Sequence, residues 1–151
     1  MREIYFTFEN PLKKTYYFLF RPKTRSVRII IIDNDRVLLL RAGYGSKKWV
    51  IPGGKVNRGE DYIMAAKREL KEESGLEINE IVSIGSYYSE LEHKKETEKF
   101  FAGETSNEDL TIDDQEIIDA GWFAFDELPE NRVSVVDDGI KLYNDWKHGK
   151  N

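Results

Sequence analysis

Apolar and polar positions along the chain follow two periods. Ile4 to Phe8 is aromatic and β-branched and reads as a strand, and Tyr16 to Phe20 as a second, separated by the turn chemistry of Glu9-Asn10-Pro11. Val27 to Ile32 has the pattern of a strand buried on both faces, and Asp33-Asn34-Asp35 makes a tight turn into Val37 to Leu40. Gly43 to Lys48 is a loop, and Trp49 to Ile51 a short strand ending at Pro52. The period then changes. A helix is predicted from Glu60 or Asp61 to Ser74, with Gly75 as its stop. Ile78 to Tyr88 reads as a long strand, Ser89 to Lys95 as a charged turn, and Thr97 to Ala102 as another strand. Asn107 to Gln115 is an acidic loop and Gly121 to Phe125 a strand. Val136, Ile140 and Tyr143 have helical spacing, which predicts a last helix over Ser134 to Lys147. Strands with two interspersed helices predict an α/β fold with a mixed sheet and a helix on each face.

Composition narrows the class. A chain of 151 residues suggests one domain, taken here as 1–151, with the aromatic strands of 1–25 packed upon it. The aromatics of that segment, Tyr5, Phe6, Phe8, Tyr16, Tyr17, Phe18 and Phe20, read as packing, with a homodimer interface or a substrate lid as the other readings. A net charge of −5 supplies no basic field for nucleic acid. Apolar runs such as Ile29 to Ile32 are far shorter than the roughly 20 residues of a membrane helix, and the start lacks signal-peptide order. With no cysteine, a disulfide framework, a thiolate metal site and a cysteine nucleophile are excluded. A cytoplasmic protein is expected.

The candidate chemistry lies between Gly53 and Leu76. Glu69, Glu72 and Glu73 share one helical face, spread about 60° to either side of Glu69, with Ala65 and Ala66 on the same arc and Lys67 and Lys71 behind. A solvated helix face would carry pairs of opposite charge at this spacing. Arg68 can relieve Glu72, but no basic residue stands on Glu69's side, and the small alanines leave room. The spacing is thus open to two readings: a solvated face, or oxygen ligands for a hard cation such as Mg²⁺ or Mn²⁺. Gly53-Gly54 favours the second, because glycine lets the backbone approach a ligand and offer a carbonyl.

The whole stretch resembles the Nudix box, G-x5-E-x7-R-E-U-x-E-E-x-G-U with U aliphatic. Gly54, Glu60, Arg68, Glu69, Leu70, Glu72, Glu73, Gly75 and Leu76 fill its defined positions over 23 residues. The resemblance implies an α/β/α sandwich. It also implies hydrolysis of a nucleoside diphosphate linked to another group X, with Mg²⁺ or Mn²⁺ as cofactor and a small nucleotide as partner. By the same resemblance Glu69, Glu72, Glu73 and the Gly53 carbonyl hold the cation, and Arg68 orients the glutamates. A carboxylate not used as a ligand takes a proton from the attacking water; Glu69 is the first candidate and Glu116 the second. Glu96 and Glu98 are weaker candidates, expected to face solvent.

For substrate binding, Arg41 can reach a phosphate, Tyr44 and Trp49 can stack on a base, and Lys55 lies in a variable position of the box. His93 and His148 stand alone in charged surroundings. A dinucleotide fingerprint fails at Lys48 and a phosphate-binding P-loop at Trp49 and Val56. The proline that ADP-ribose pyrophosphatases often carry past the box is absent, since Glu92 stands there. Nucleoside triphosphates lead by elimination, with ADP-ribose or a nucleotide sugar as alternatives. The rival of another class is a non-catalytic module of the same fold that binds nucleotide or protein.

Overall fold

The computed structural model describes residues 23–91, 94–112 and 116–149. Strand β1 (Lys23–Asp33) turns through Asn34 and Asp35, both at positive φ (44° and 65°), into β2 (Arg36–Ala42). Asn and Asp tolerate that conformation better than other side chains, so the turn lies where turn chemistry placed it. Short strands β3 (Trp49–Val50) and β4 (Gly53–Lys55) follow, then helix α1 (Tyr62–Ser74), the hairpin β5 (Val82–Leu91) and β6 (Lys94–Glu104), β7 (Ile117–Ala124) and helix α2 (Ser134–Lys147).

The sheet runs β3-β2-β1-β6-β5, with β4 paired to β1 and β7 to β2. Only β1 and β6 run parallel among the described strand pairs, so the sheet is mixed. Alternation along β1 separates two cores. Val27, Ile29 and Ile31 pack toward Ala65, Ala66 and Leu70 of α1, whereas Ile30 and Ile32 pack toward Val136 and Tyr143 of α2. Helices therefore cover both faces, as the pattern predicts.

The site is positioned by a split in this sheet. β1 meets β2 at Ile32 and Asp33 but meets β4 at Ser26, Val27 and Arg28. The two glycines of β4 are thereby held against the first half of β1, beside α1. Asp61 caps that helix by accepting from the Met64 amide at 2.8 Å, and Gly75 ends it at φ 77° while donating to the Lys71 carbonyl.

Several expectations are corrected. Ala65 and Ala66 are fully buried against the sheet, so their small size serves close helix–sheet packing and opens no space for a ligand. The charged turn at Ser89 to Lys95 is largely strand, because β5 and β6 pair out to Leu91 and Lys94, while residues 78–81 precede the strand. β7 begins at Ile117, four residues before the predicted start. Lys23 to Arg25 belong to β1; the strands expected over Ile4 to Phe8 and Tyr16 to Phe20 lie outside the described residues, as do His93 and Asp113 to Gln115. Among the described residues no helix is long and apolar enough to cross a membrane.

Candidate active site

Arg68 is the hub of the acidic face. Its Nε donates to Glu60 Oε2 at 2.8 Å and its Nη2 to Glu60 Oε1 at 2.9 Å, a two-point fork on one carboxylate. Nη1 donates to Glu69 Oε1 at 3.0 Å and reaches Glu72 Oε2 at 3.3 Å, and Nη2 also donates to the Lys55 carbonyl at 3.0 Å. Glu60 in turn accepts from the Asn57 amide at 3.0 Å. One guanidinium thus ties three carboxylates of α1 and its approach to the β4 loop. Glu69 has no basic residue at helical spacing on its own side, and Arg68, its sequence neighbour, reaches it around the helix instead.

The glycines press on this face from the other side. A Cβ on Gly54 would stand 2.5 Å from the Glu69 carboxyl carbon, and one on Gly53 only 2.1 Å from the Val27 carbonyl oxygen. The Gly53 amide donates to Glu73 Oε1 at 3.0 Å. β4 thereby touches Glu69 through Gly54 and Glu73 through Gly53.

The two inner carboxylates are electrostatically burdened. Burial pushes the Glu73 carboxyl up to about 8, with the charges of Glu69 and Glu116 adding to it and the Gly53 amide opposing. Glu69 is also raised, first by burial, against the pull of Arg68, with Glu72 and Glu116 adding. Glu60 goes the other way: the Arg68 hydrogen bonds and the Asn57 amide lower it to about 2. Glu72 stands at the rim, with its side chain 58% exposed.

Among the described residues, no three His, Cys, Asp or Glu side chains converge in ligand geometry. Glu69 and Glu72 turn to Arg68, and Glu73 to the Gly53 amide. The donor set nonetheless suits a hard divalent cation. It consists of carboxylate oxygens, and two of them are half-buried with raised proton affinity, which a nearby positive charge would relieve.

The remaining candidates are spread around this cluster. Glu116 is exposed and just precedes β7; its carbonyl accepts from the Gly43 amide at 2.8 Å, and its charge is felt by Glu69, Glu73 and Tyr44. Tyr44 is 68% exposed, and its hydroxyl is raised by burial, with Glu116 and Glu73 adding. Lys55 is exposed and serves through its carbonyl. Trp49 and Arg41 stand apart from the acids on the α2 side of the sheet. Trp49 packs edge-on against Phe123 at 4.9 Å, and the Arg41 guanidinium lies 5.9 Å from the Trp49 ring.

Sequence reading passed over Arg28, which interrupts the stretch read as a buried apolar strand, and kept Glu98 only as a weaker candidate expected to face solvent. Glu98 is 5% exposed, accepts from Ser26 Oγ at 3.2 Å and pairs with Arg28 Nε at 3.5 Å. The available signal was Arg28 itself, a charge within an otherwise aliphatic run that calls for a buried partner.

Comparison with known proteins agrees with this geometry. A NUDIX domain is matched over residues 22–143. The chain is 32% identical over 111 residues to the oxidized purine nucleoside triphosphate hydrolase of Danio rerio, covering 72% of this chain and 71% of that protein. It is 28% identical over 126 residues to a putative 8-oxo-dGTP diphosphatase of Bacillus subtilis, covering 83% and 81%. A crystal structure of a MutT NUDIX hydrolase from Burkholderia pseudomallei superposes with a TM-score of 0.71 at 19% identity, over 80% of this chain and 97% of that one.

Proposed function

The chain belongs to the NUDIX domain family and is a nucleotide pyrophosphohydrolase of that family, and we propose that it cleaves a diphosphate bond in a nucleoside triphosphate by water attack at phosphorus. The observation that carries this reading is the acid face organised by Arg68 and closed by Gly53-Gly54, with every defined position of the box filled. The triphosphate rests on the names of the two curated relatives described above.

Glu69, Glu72, Glu73 and the Gly53 carbonyl are the groups that would hold Mg²⁺ or Mn²⁺. Such a cation offsets diphosphate charge and lowers the pKa of an attacking water. Arg68 keeps Glu69 Oε1 engaged, which leaves Oε2 as the acceptor for a proton of that water. The burial that raises Glu69 makes it a better base than an exposed carboxylate. Glu116, whose charge reaches the same cluster, is the second candidate base. Lys55, exposed beside the acids, supplies positive charge for phosphates, and Tyr44 supplies an aromatic ring for the base. A single domain over 1–151 and a cytoplasmic setting complete the reading, the latter favoured by the absence of cysteine.

The test is a panel assay of the purified protein with Mg²⁺ or Mn²⁺ and substrates from triphosphates to nucleotide sugars. Turnover of one or more triphosphates is expected. Inactivity across the panel together with no cation binding would sink the enzyme reading in favour of a binding module. Glu72→Gln should leave the fold intact and lower kcat by about a hundredfold or more, as loss of a charge-bearing oxygen ligand does.

A further inference from the structure

Arg28 and Arg68 both place positive charge within reach of the acids, but they use it differently. Arg68 spends its donors on Glu60, Glu69, Glu72 and the Lys55 carbonyl. Among the described residues Arg28 makes one ion pair, from its buried Nε to Glu98 at 3.5 Å, a contact that makes no hydrogen bond. A guanidinium carries five donors in a rigid fork, and Nη1 and Nη2 carry the four that this pair does not use. The side chain is 24% exposed, so it is open on one side.

Its place in the fold fits a ligand contact. Arg28 lies opposite Gly53 across the β1–β4 pairing, and its Cδ would stand 2.9 Å from a Cβ on that glycine. Its charge is felt by Glu73 on α1 and by Tyr44 in the loop after β2. Arg28 thus stands in contact with Glu98 and within electrostatic reach of Glu73 and Tyr44.

On this basis we propose that Arg28 is a substrate-binding residue whose guanidinium takes phosphate oxygens of the diphosphate while Arg68 holds the carboxylates. This rests on the pyrophosphohydrolase reading above. An arginine that merely neutralised Glu98 would make the pair dispensable together. An arginine that binds phosphate would leave a loss when both charges are removed.

The experiment uses methylenediphosphonate with Mg²⁺ as a non-hydrolysable probe, titrated calorimetrically into wild type, Glu98→Gln and the double variant Arg28→Met/Glu98→Gln. Thermal unfolding of each confirms folding. Glu98→Gln should bind the probe as tightly as wild type or more so. The double variant should bind about tenfold or more weakly than Glu98→Gln, the scale of lost charge-assisted hydrogen bonds. With the best substrate of the panel its KM should rise by a similar factor while kcat changes less. Affinity and KM within about twofold of Glu98→Gln would overturn the proposal. If the double variant does not fold, Arg28→Lys decides: it keeps the charge but not the fork, so a several-fold weakening supports the proposal and unchanged affinity refutes it. A wild-type protein that turns over no nucleotide defeats the underlying reading instead, whatever the variants bind.

Discussion

The two adjacent glycines of β4 answer to different neighbours, and that difference is testable. A methyl at Gly54 meets the end of a flexible side chain, the Glu69 carboxyl, 2.5 Å away. The carboxyl can swing aside, so the fold survives and the site does not. A methyl at Gly53 meets backbone, the Val27 carbonyl oxygen at 2.1 Å, and must part β4 from β1. Gly54→Ala is therefore expected to keep its melting temperature within a few degrees of wild type while losing about tenfold or more of its activity. Gly53→Ala should lower the melting temperature by several degrees or more, the scale of a lost backbone pairing in a domain of this size. Parallel thermal melts and rate measurements separate the two; equal stability loss in both would contradict the geometry. At this scale the site was half legible. Spacing put Glu69, Glu72 and Glu73 on one face, because helical periodicity does so without knowledge of the fold, and the resemblance added Arg68 as the residue that orients them. The burial of Glu98 and its pairing with Arg28 were not legible, since whether a strand carboxylate is solvated or buried depends on which strand lies beside it. Here the neighbour is β1, and its Ser26 and Arg28 supply the partners.

Helix α1 carries most of the site, so its ends set how firmly the carboxylates are held. Asp61 accepts from Met64 at the first turn, and Gly75 takes the left-handed conformation at the last. Asp61→Ala should cost about 1 kcal/mol, the usual worth of an N-cap. Gly75→Ala should cost more, because left-handed strain of about 1–2 kcal/mol adds to a Cβ contact with Thr111 Cβ at 2.9 Å. Denaturant unfolding orders the two, and a smaller loss at Gly75 would count against this account of the helix end. Both ends were readable beforehand, as caps and stops depend on local chemistry. The limits of β5 and β6 were not. Ser89 to Lys95 is charged and looks like a turn, yet Glu90 pairs with Lys95 and Ser89 with Glu96 across an extended hairpin. Cross-strand pairing of opposite charges makes strand out of residues whose composition reads as loop. Gly85 at the bulge of β5 has the same character. It opens a gap for Leu142 of α2, and nothing in its neighbours along the chain announces that contact.

At the scale of the whole molecule, the acid cluster couples stability to the proton and, on the proposed function, to a cation. Glu73 is held at about 8 in the folded protein against an ordinary value of 4.5. A folded-state value above the unfolded one means that the native state binds the proton more tightly. Its stabilising share is therefore complete below about pH 4.5 and is lost as pH rises through about 8. The metal-free protein should accordingly become less stable from mildly acidic to mildly alkaline pH. Glu60 does not mimic this trend, because its value is lowered to about 2 and its contribution fades only in acid, below 4.5. A divalent cation offers the charge that Glu73 lacks, so millimolar Mg²⁺ or Mn²⁺ should raise the melting temperature more at pH 8 than at pH 5.5, and binding should release protons. Glu73→Gln removes the titrating group without removing its shape. In metal-free buffer that variant should lose most of the alkaline decline, keeping the smaller share that the raised Glu69 adds, and at pH 8 it should melt above the wild type even though its catalysis fails. Melting curves between pH 5 and 9, with and without cation, decide the matter. A wild-type profile flat across that range, or a Glu73→Gln profile that declines as steeply as the wild type, would show that Glu73 is not the group through which the fold senses pH and cation.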